Sequence, residues 1–116
     1  MPQSDQPLQR IIQEYVPGTQ VTIAHIIANP DRSLCQRVGL ETAEAIGIMT
    51  LTPSESAIIA GDLALKAADV EIGFLDRFSG TLVLVGTLSA VETAVEAANQ
   101  GLAAILGFHP ARVTRR

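Results

Sequence analysis

The sequence predicts an α+β domain in which an antiparallel-rich sheet is covered by helices. Three observations lead there. A chain of 116 residues with 47% hydrophobic content has room for one buried core. Short runs rich in β-branched residues alternate with longer Ala-rich stretches, and turn or capping residues mark the junctions between them. No long linker or repeat divides the chain, so a single folded domain is expected.

The elements follow in order. Residues 1–9 are polar, carry Pro2 and Pro7 and have no period, which predicts a flexible arm. Ile11-Ile12-Gln13-Glu14-Tyr15-Val16 reads as a short strand ended by Pro17-Gly18. Val21 to Ala28 reads as a second strand, with Val21, Ile23, His25 and Ile27 on one face and Thr22, Ala24, Ile26 and Ala28 on the other. Asn29 as N-cap and Pro30 at the first helical position then open a short helix running toward Gly39.

Ala45 to Leu51 is a nearly uninterrupted apolar run, the pattern of a strand covered on both faces. Thr52-Pro53-Ser54-Glu55 has the spacing of a capping box, in which hydroxyl and carboxylate satisfy exposed N–H groups, and predicts a helix to about Ala68. Val70 to Leu75 and Thr81 to Val85 read as a hairpin turning through Asp76-Arg77-Phe78-Ser79-Gly80. Ser89-Ala90-Val91-Glu92 repeats the capping pattern and opens the longest helix, closed by Gly107. The last residues are expected to add a short strand.

Composition narrows the function. A net charge of -4 with only 8 Lys+Arg supplies no basic stripe for a phosphate backbone, so no nucleic-acid partner is expected. The basic tail Arg112 to Arg116 reads as solvated arginines. No apolar stretch approaches the ~20 residues of a membrane helix. A single cysteine and the lack of an export pattern predict a cytoplasmic protein with no membrane association. Aromatics are only 3% and Ala recurs in both long helices, so each side chain buries little area and packing against further copies is favoured.

Groups able to do chemistry are sparse. His25 lies within a strand, where a hydrogen-bonded structural histidine is the expected reading. His109 precedes Pro110 near the tail, and Cys35 falls in the short helix as a small packing residue. Two isolated histidines and one cysteine offer no metal-ligand spacing, and no Gly-rich phosphate cradle or dinucleotide fingerprint occurs. Neither catalytic residues nor a cofactor are therefore assigned. Two other readings are weaker: a small regulatory ligand-binding oligomer, for which the basic residues are too scattered, and an N-terminal-proline tautomerase using Pro2, which the polar context of Gln3 to Pro7 disfavours.

Ala45 to Leu51, followed by the Ala-rich helix ending Leu65-Lys66-Ala67-Ala68-Asp69-Val70-Glu71-Ile72, resembles the bacterial microcompartment (BMC) shell domain. The strand and short helix of Val21 to Gly39 precede the rest here, as in the circularly permuted subclass of that family. Arg10 to Gly18, Gln20-Val21-Thr22, Ile72 to Gly80 and Ile48-Met49-Thr50-Leu51-Thr52-Pro53 resemble its ethanolamine-utilisation type and, next to it, the propanediol-utilisation type. The likeness covers nearly the whole chain after residue 9.

The resemblance implies a non-enzymatic shell protein. It would form a homohexamer that tiles with other shell proteins around metabolic enzymes and a volatile aldehyde. It divides the chain into an arm at 1–9, a barrel strand at 10–18 and a permuted shell domain at 19–116. Ile11, Ile12, Gln13, Glu14, Tyr15 and Val16 would join five copies in a six-stranded barrel over the central pore. Lys66 matches a lysine on the outer edge of shell hexamers, where neighbouring rings meet. Asp76, Arg77, Phe78, Ser79 and Gly80 match the region near the pore axis. One departure bears on the edge: where many family members carry an arginine beside prolines, this chain has Ala28-Asn29-Pro30-Asp31.

Overall fold

The computed structural model describes residues 18–40 and 43–116. The elements are β1 (Gln20–Ala28), α1 (Arg32–Arg37), β2 (Ala45–Thr52), α2 (Ser56–Ala67), β3 (Glu71–Asp76), β4 (Thr81–Gly86), α3 (Leu88–Leu106) and β5 (Thr114–Arg115). They build one five-stranded sheet in the order β3-β4-β2-β1-β5. Every pairing is antiparallel except β1 with β5, which is parallel. The α+β class and the antiparallel-rich sheet expected from the sequence are present.

Helices α2 and α3 lie side by side on one face of the sheet. There α3 crosses β1, β2 and β4 while α2 covers β3, β4 and β2. The core is the seam between these layers: Ala24, Ile26, Met49, Leu82 and Leu84 from strands meet Ala57, Ala60, Ala64, Val91, Val95 and Leu102 from helices. Small residues let the layers approach. A Cβ on Gly47 of β2 would lie 2.8 Å from Val95 Cγ2 and 2.9 Å from Val91 Cγ1, so glycine there sets the depth at which α3 seats.

β1 departs from its expected alternation at one place. A bulge between Val21 and Ile23 shifts the register against β2. Val21 thereby joins Ala24 and Ile26 on the helical face, all 1–2% exposed, while Ile23 is 49% exposed. The extra residue of a bulge reverses the facing of what precedes it, so simple period-2 reading misplaced both Val21, which is buried, and Thr22, which is exposed and not on the face of Ala24 and Ile26.

All three helix starts differ from the sequence reading. Asn29 is consumed in a left-handed turn (φ 54) and donates its N–H to the Glu44 carbonyl. Asp31 instead caps α1, its Oδ1 accepting from the N–H groups of Ser33 (2.8 Å) and Leu34 (3.2 Å). Thr52 is the last residue of β2, and Glu55, at the N-cap of α2, makes no side-chain capping bond. The first-turn donors of Ser56, Ala57 and Ile58 find the carbonyls of Pro53, Ser54 and Glu55. For α3 the cap is Thr87, whose hydroxyl accepts from Ala90 N–H, and Ser89 already lies in the helix. The opposite end follows expectation: Gly107 closes α3.

The tail folds back along β1. His109 N–H donates to Thr19, Val21 N–H donates to His109, and Arg116 exchanges hydrogen bonds with Ile26 and Ala28. Arg115 forms an ion pair with Glu92, so these two residues are tied together and are not a solvated arginine and a capping carboxylate.

Candidate functional site

The residues proposed from sequence do not converge on one pocket. Ile11 to Val16 lie outside the described residues. Lys66 stands in the last turn of α2, its side chain 74% exposed, and pairs with Asp62 Oδ2 at 3.0 Å one turn earlier. An acidic residue four positions before a lysine is the favoured helical order, and in this exposed setting it orients the amine more than it stabilises the fold.

Asp76 to Gly80 form the tip of the β3–β4 hairpin. Asp76 Oδ1 accepts from Phe78 N–H at 2.9 Å, and Gly80 N–H donates to the Asp76 carbonyl. The Phe78 N–H and then the Ser79 hydroxyl hold the Asp76 carboxyl below the ordinary carboxylate range. Phe78 is 78% exposed, with the Arg77 guanidinium 5.0 Å from its ring centre. The tip is a well-defined loop that presents an aromatic ring.

Two of the residues with chemical potential have structural surroundings. His25 Nδ1 and Thr114 Oγ1 are 2.6 Å apart, linking β1 to β5 as expected for a structural histidine. Cys35 is fully buried in α1. Among the described residues no three His, Cys, Asp or Glu side chains gather in a metal-binding group. None of the described helices is long and apolar enough to cross a membrane.

What does converge is apolar. On the sheet face opposite α2 and α3, α1 stands off and leaves a 430 Å³ groove. Leu34 of α1 and Val38 at its C-cap form one wall, and Ile46, Ile48, Phe74 and Val83 of the sheet form its floor. Leu34, Val38 and Phe74 are 45%, 59% and 51% exposed. A second apolar set lies on α2, where Ile58, Ile59 and Leu65 are exposed. Sequence reasoning passed over the groove, although β2 carried the signal. Its apolar run asked for cover on both faces, yet only one face received long helices, and the six-residue α1 spans little of the other.

The side chains bordering this groove are all apolar, as on a surface that packs against protein. The BMC domain family model matches residues 45–112. The bacterial microcompartment shell protein EutS of Salmonella typhimurium is 59% identical over 107 residues, spanning 92% of this chain and 96% of its own. The shell protein PduU of the same organism is 54% identical, spanning 91% and 92%. Among solved structures, a flat hexamer of CutR superposes with a TM-score of 0.83 at 43% identity, covering 92% of this chain and 99% of that one. The match in family, in length and in fold leads to one conclusion: the chain belongs to the BMC-domain family of bacterial microcompartment shell proteins.

Proposed function

We propose that this chain is a structural, non-catalytic tile of a bacterial microcompartment shell of the ethanolamine-utilisation type. Identity of 59% with EutS across 92% of the chain carries the reading, and the apolar side chains exposed among the described residues fit a protein that completes its packing with further copies. Six copies close into a ring, and rings tile with other shell proteins to enclose enzymes and their aldehyde intermediate.

The permuted order is supported from within the fold. The family match begins at residue 45, yet β1, which precedes it, pairs with β2 inside the same sheet. We read residues 19–116 as the permuted shell domain, 1–9 as an arm and 10–18 as the barrel strand. In that reading Ile11 to Val16 of six copies close a barrel over the pore, which leaves none of these strands with an open edge. Asp76 to Gly80 approach the pore axis, and Lys66 lies on the outer edge, its stem covering the joint between rings.

Electron microscopy of concentrated full-length protein tests this. Six-fold rings and sheets or tubes are expected, and monodisperse monomers overturn the proposal. Lys66→Ala should abolish sheets and leave rings intact; loss of the rings themselves would contradict the edge role.

A further inference from the structure

Given the reading of residues 10–18 as the barrel strand, we infer that the last turn of α3, where Ile105 and Leu106 stand exposed, is the seat on which Tyr15 and Val16 of the same chain pack. The N-terminal strand is thereby anchored on the shell domain.

One end of the domain gathers the parts concerned. Gln20, at the start of β1, pairs with Thr52 at the end of β2. α2 starts just beyond Thr52, and the tip of the β3–β4 hairpin reaches the same end, where the Gly80 carbonyl accepts from Leu51 N–H at 2.8 Å. α3 finishes here too, because the chain beyond it bonds to the start of β1: His109 N–H donates to the Thr19 carbonyl at 3.1 Å, and the His109 carbonyl accepts from Val21 N–H at 2.9 Å. Residues 1–17 join the described domain at this end, through Gly18, whose φ of +82 marks a turn.

Ile105 and Leu106 are 69% and 41% exposed. Scattered single hydrophobics on a surface are ordinary, but here an adjacent apolar pair stands where an apolar segment enters the domain. Proximity names the cover. His109 is three residues past Leu106, which keeps the two within about 11 Å, and Tyr15 is four residues before Thr19, which keeps those within about 14 Å. With Thr19 bonded to His109, Tyr15 and Val16 are the apolar residues of Ile11 to Val16 closest along the chain to the seat. A tyrosine suits such a place, since its ring covers apolar surface while its hydroxyl stays in water. Ile58 and Ile59, at the start of α2, are exposed at the same end and supply the comparison.

Tyr15 is the chain's single tyrosine and tryptophan is absent, so tyrosine fluorescence reports this one position. Acrylamide should quench it less in the full-length folded protein than in the same chain unfolded in urea. Ile105→Gln with Leu106→Gln keeps helix-forming residues on an exposed turn and should raise quenching toward the unfolded value with unchanged circular dichroism. Ile58→Gln with Ile59→Gln should leave quenching as it was. Should the double α3 variant lose its fold, Ile105→Gln alone, at the more exposed position, replaces it.

Quenching that is unaffected by the α3 variant, or that responds equally to the α2 variant, overturns the inference, as does a Tyr15 no better protected in the folded protein than in urea. A further copy covering Ile105 and Leu106 in place of Tyr15 would give the first of these results together with a changed sedimentation mass. Sedimentation of the unaltered chain tests the ring separately: if no hexamer forms, the proposed function fails, while the quenching series still decides the seat.

Discussion

Asn99, fully buried on α3, closes a pair of hydrogen bonds with the main chain of Ala111: its Nδ2 donates to the carbonyl at 2.7 Å and its Oδ1 accepts from the N–H at 3.0 Å. The amide is the one side-chain type of this size that offers donor and acceptor side by side, so it reads both groups of a peptide unit at once. It fastens the returning tail between its bond to β1 at His109 and its pairing with β1 at Thr114 and Arg115. Asn99→Ala should cost about 2 kcal/mol, because a buried N–H and carbonyl lose their partners. Urea unfolding would measure the loss. Hydrogen exchange should show faster opening at Val113 to Arg116 than elsewhere in the sheet.

Gly47 tests how closely α3 seats on β2. Gly47→Ala places a methyl group within 3 Å of Val91 and Val95 and should destabilise by about 2 kcal/mol through overpacking. Val95→Ala alone should also destabilise, by leaving a cavity. The double variant should recover part of the combined loss, and a double-mutant cycle in thermal or urea unfolding would show that coupling. Strict additivity would mean that the helix moves away instead.

Gly80 is stricter. Its φ is +78, and an added Cβ would lie 2.3 Å from the Leu51 carbonyl oxygen, which is main chain and cannot rotate aside. Gly80→Ala should cost about 3 kcal/mol, more than Gly47→Ala. The same unfolding experiment ranks the two.

Acid should loosen α1 and the hairpin tip. Folding holds the Asp31 carboxyl below the ordinary range, chiefly through the Ser33 hydroxyl and then the Leu34 and Ser33 N–H groups; Asp76 is lowered likewise. A pKa lower in the folded than in the unfolded chain gives stability that is present above the ordinary carboxylate range and is lost as pH falls through the folded value. Melting temperature should therefore fall on acidification. Asp31→Asn keeps a capping side chain and should flatten that fall; an unchanged slope would show that Asp31 contributes nothing to it.

Much of this protein was legible in the residues themselves. The Ala45 to Leu51 run, the hairpin of Thr81 and its partner strand, the closing Gly107 and the structural setting of His25 all follow from local pattern and turn chemistry. Such features depend on neighbours a few positions away. The long segments shared with shell proteins identified the family for the same reason, since they record the chain in order.

Tertiary structure decided what depends on distant partners. Asn29, Thr52 and Ser89 are all competent caps, but where a helix begins depends on where the preceding strand and turn release the chain, so Asp31, Glu55 and Thr87 took the N-cap positions. Val21 changed face because cross-strand pairing with β2 placed a bulge beside it. Glu92, a natural capping carboxylate, found Arg115 because the tail returns to β1. The groove arises in the same way. No local pattern states how far α1 will stand from a sheet floor built from β2, β3 and β4, and only the packed layers leave Leu34, Val38 and Phe74 facing a space that the described residues do not fill.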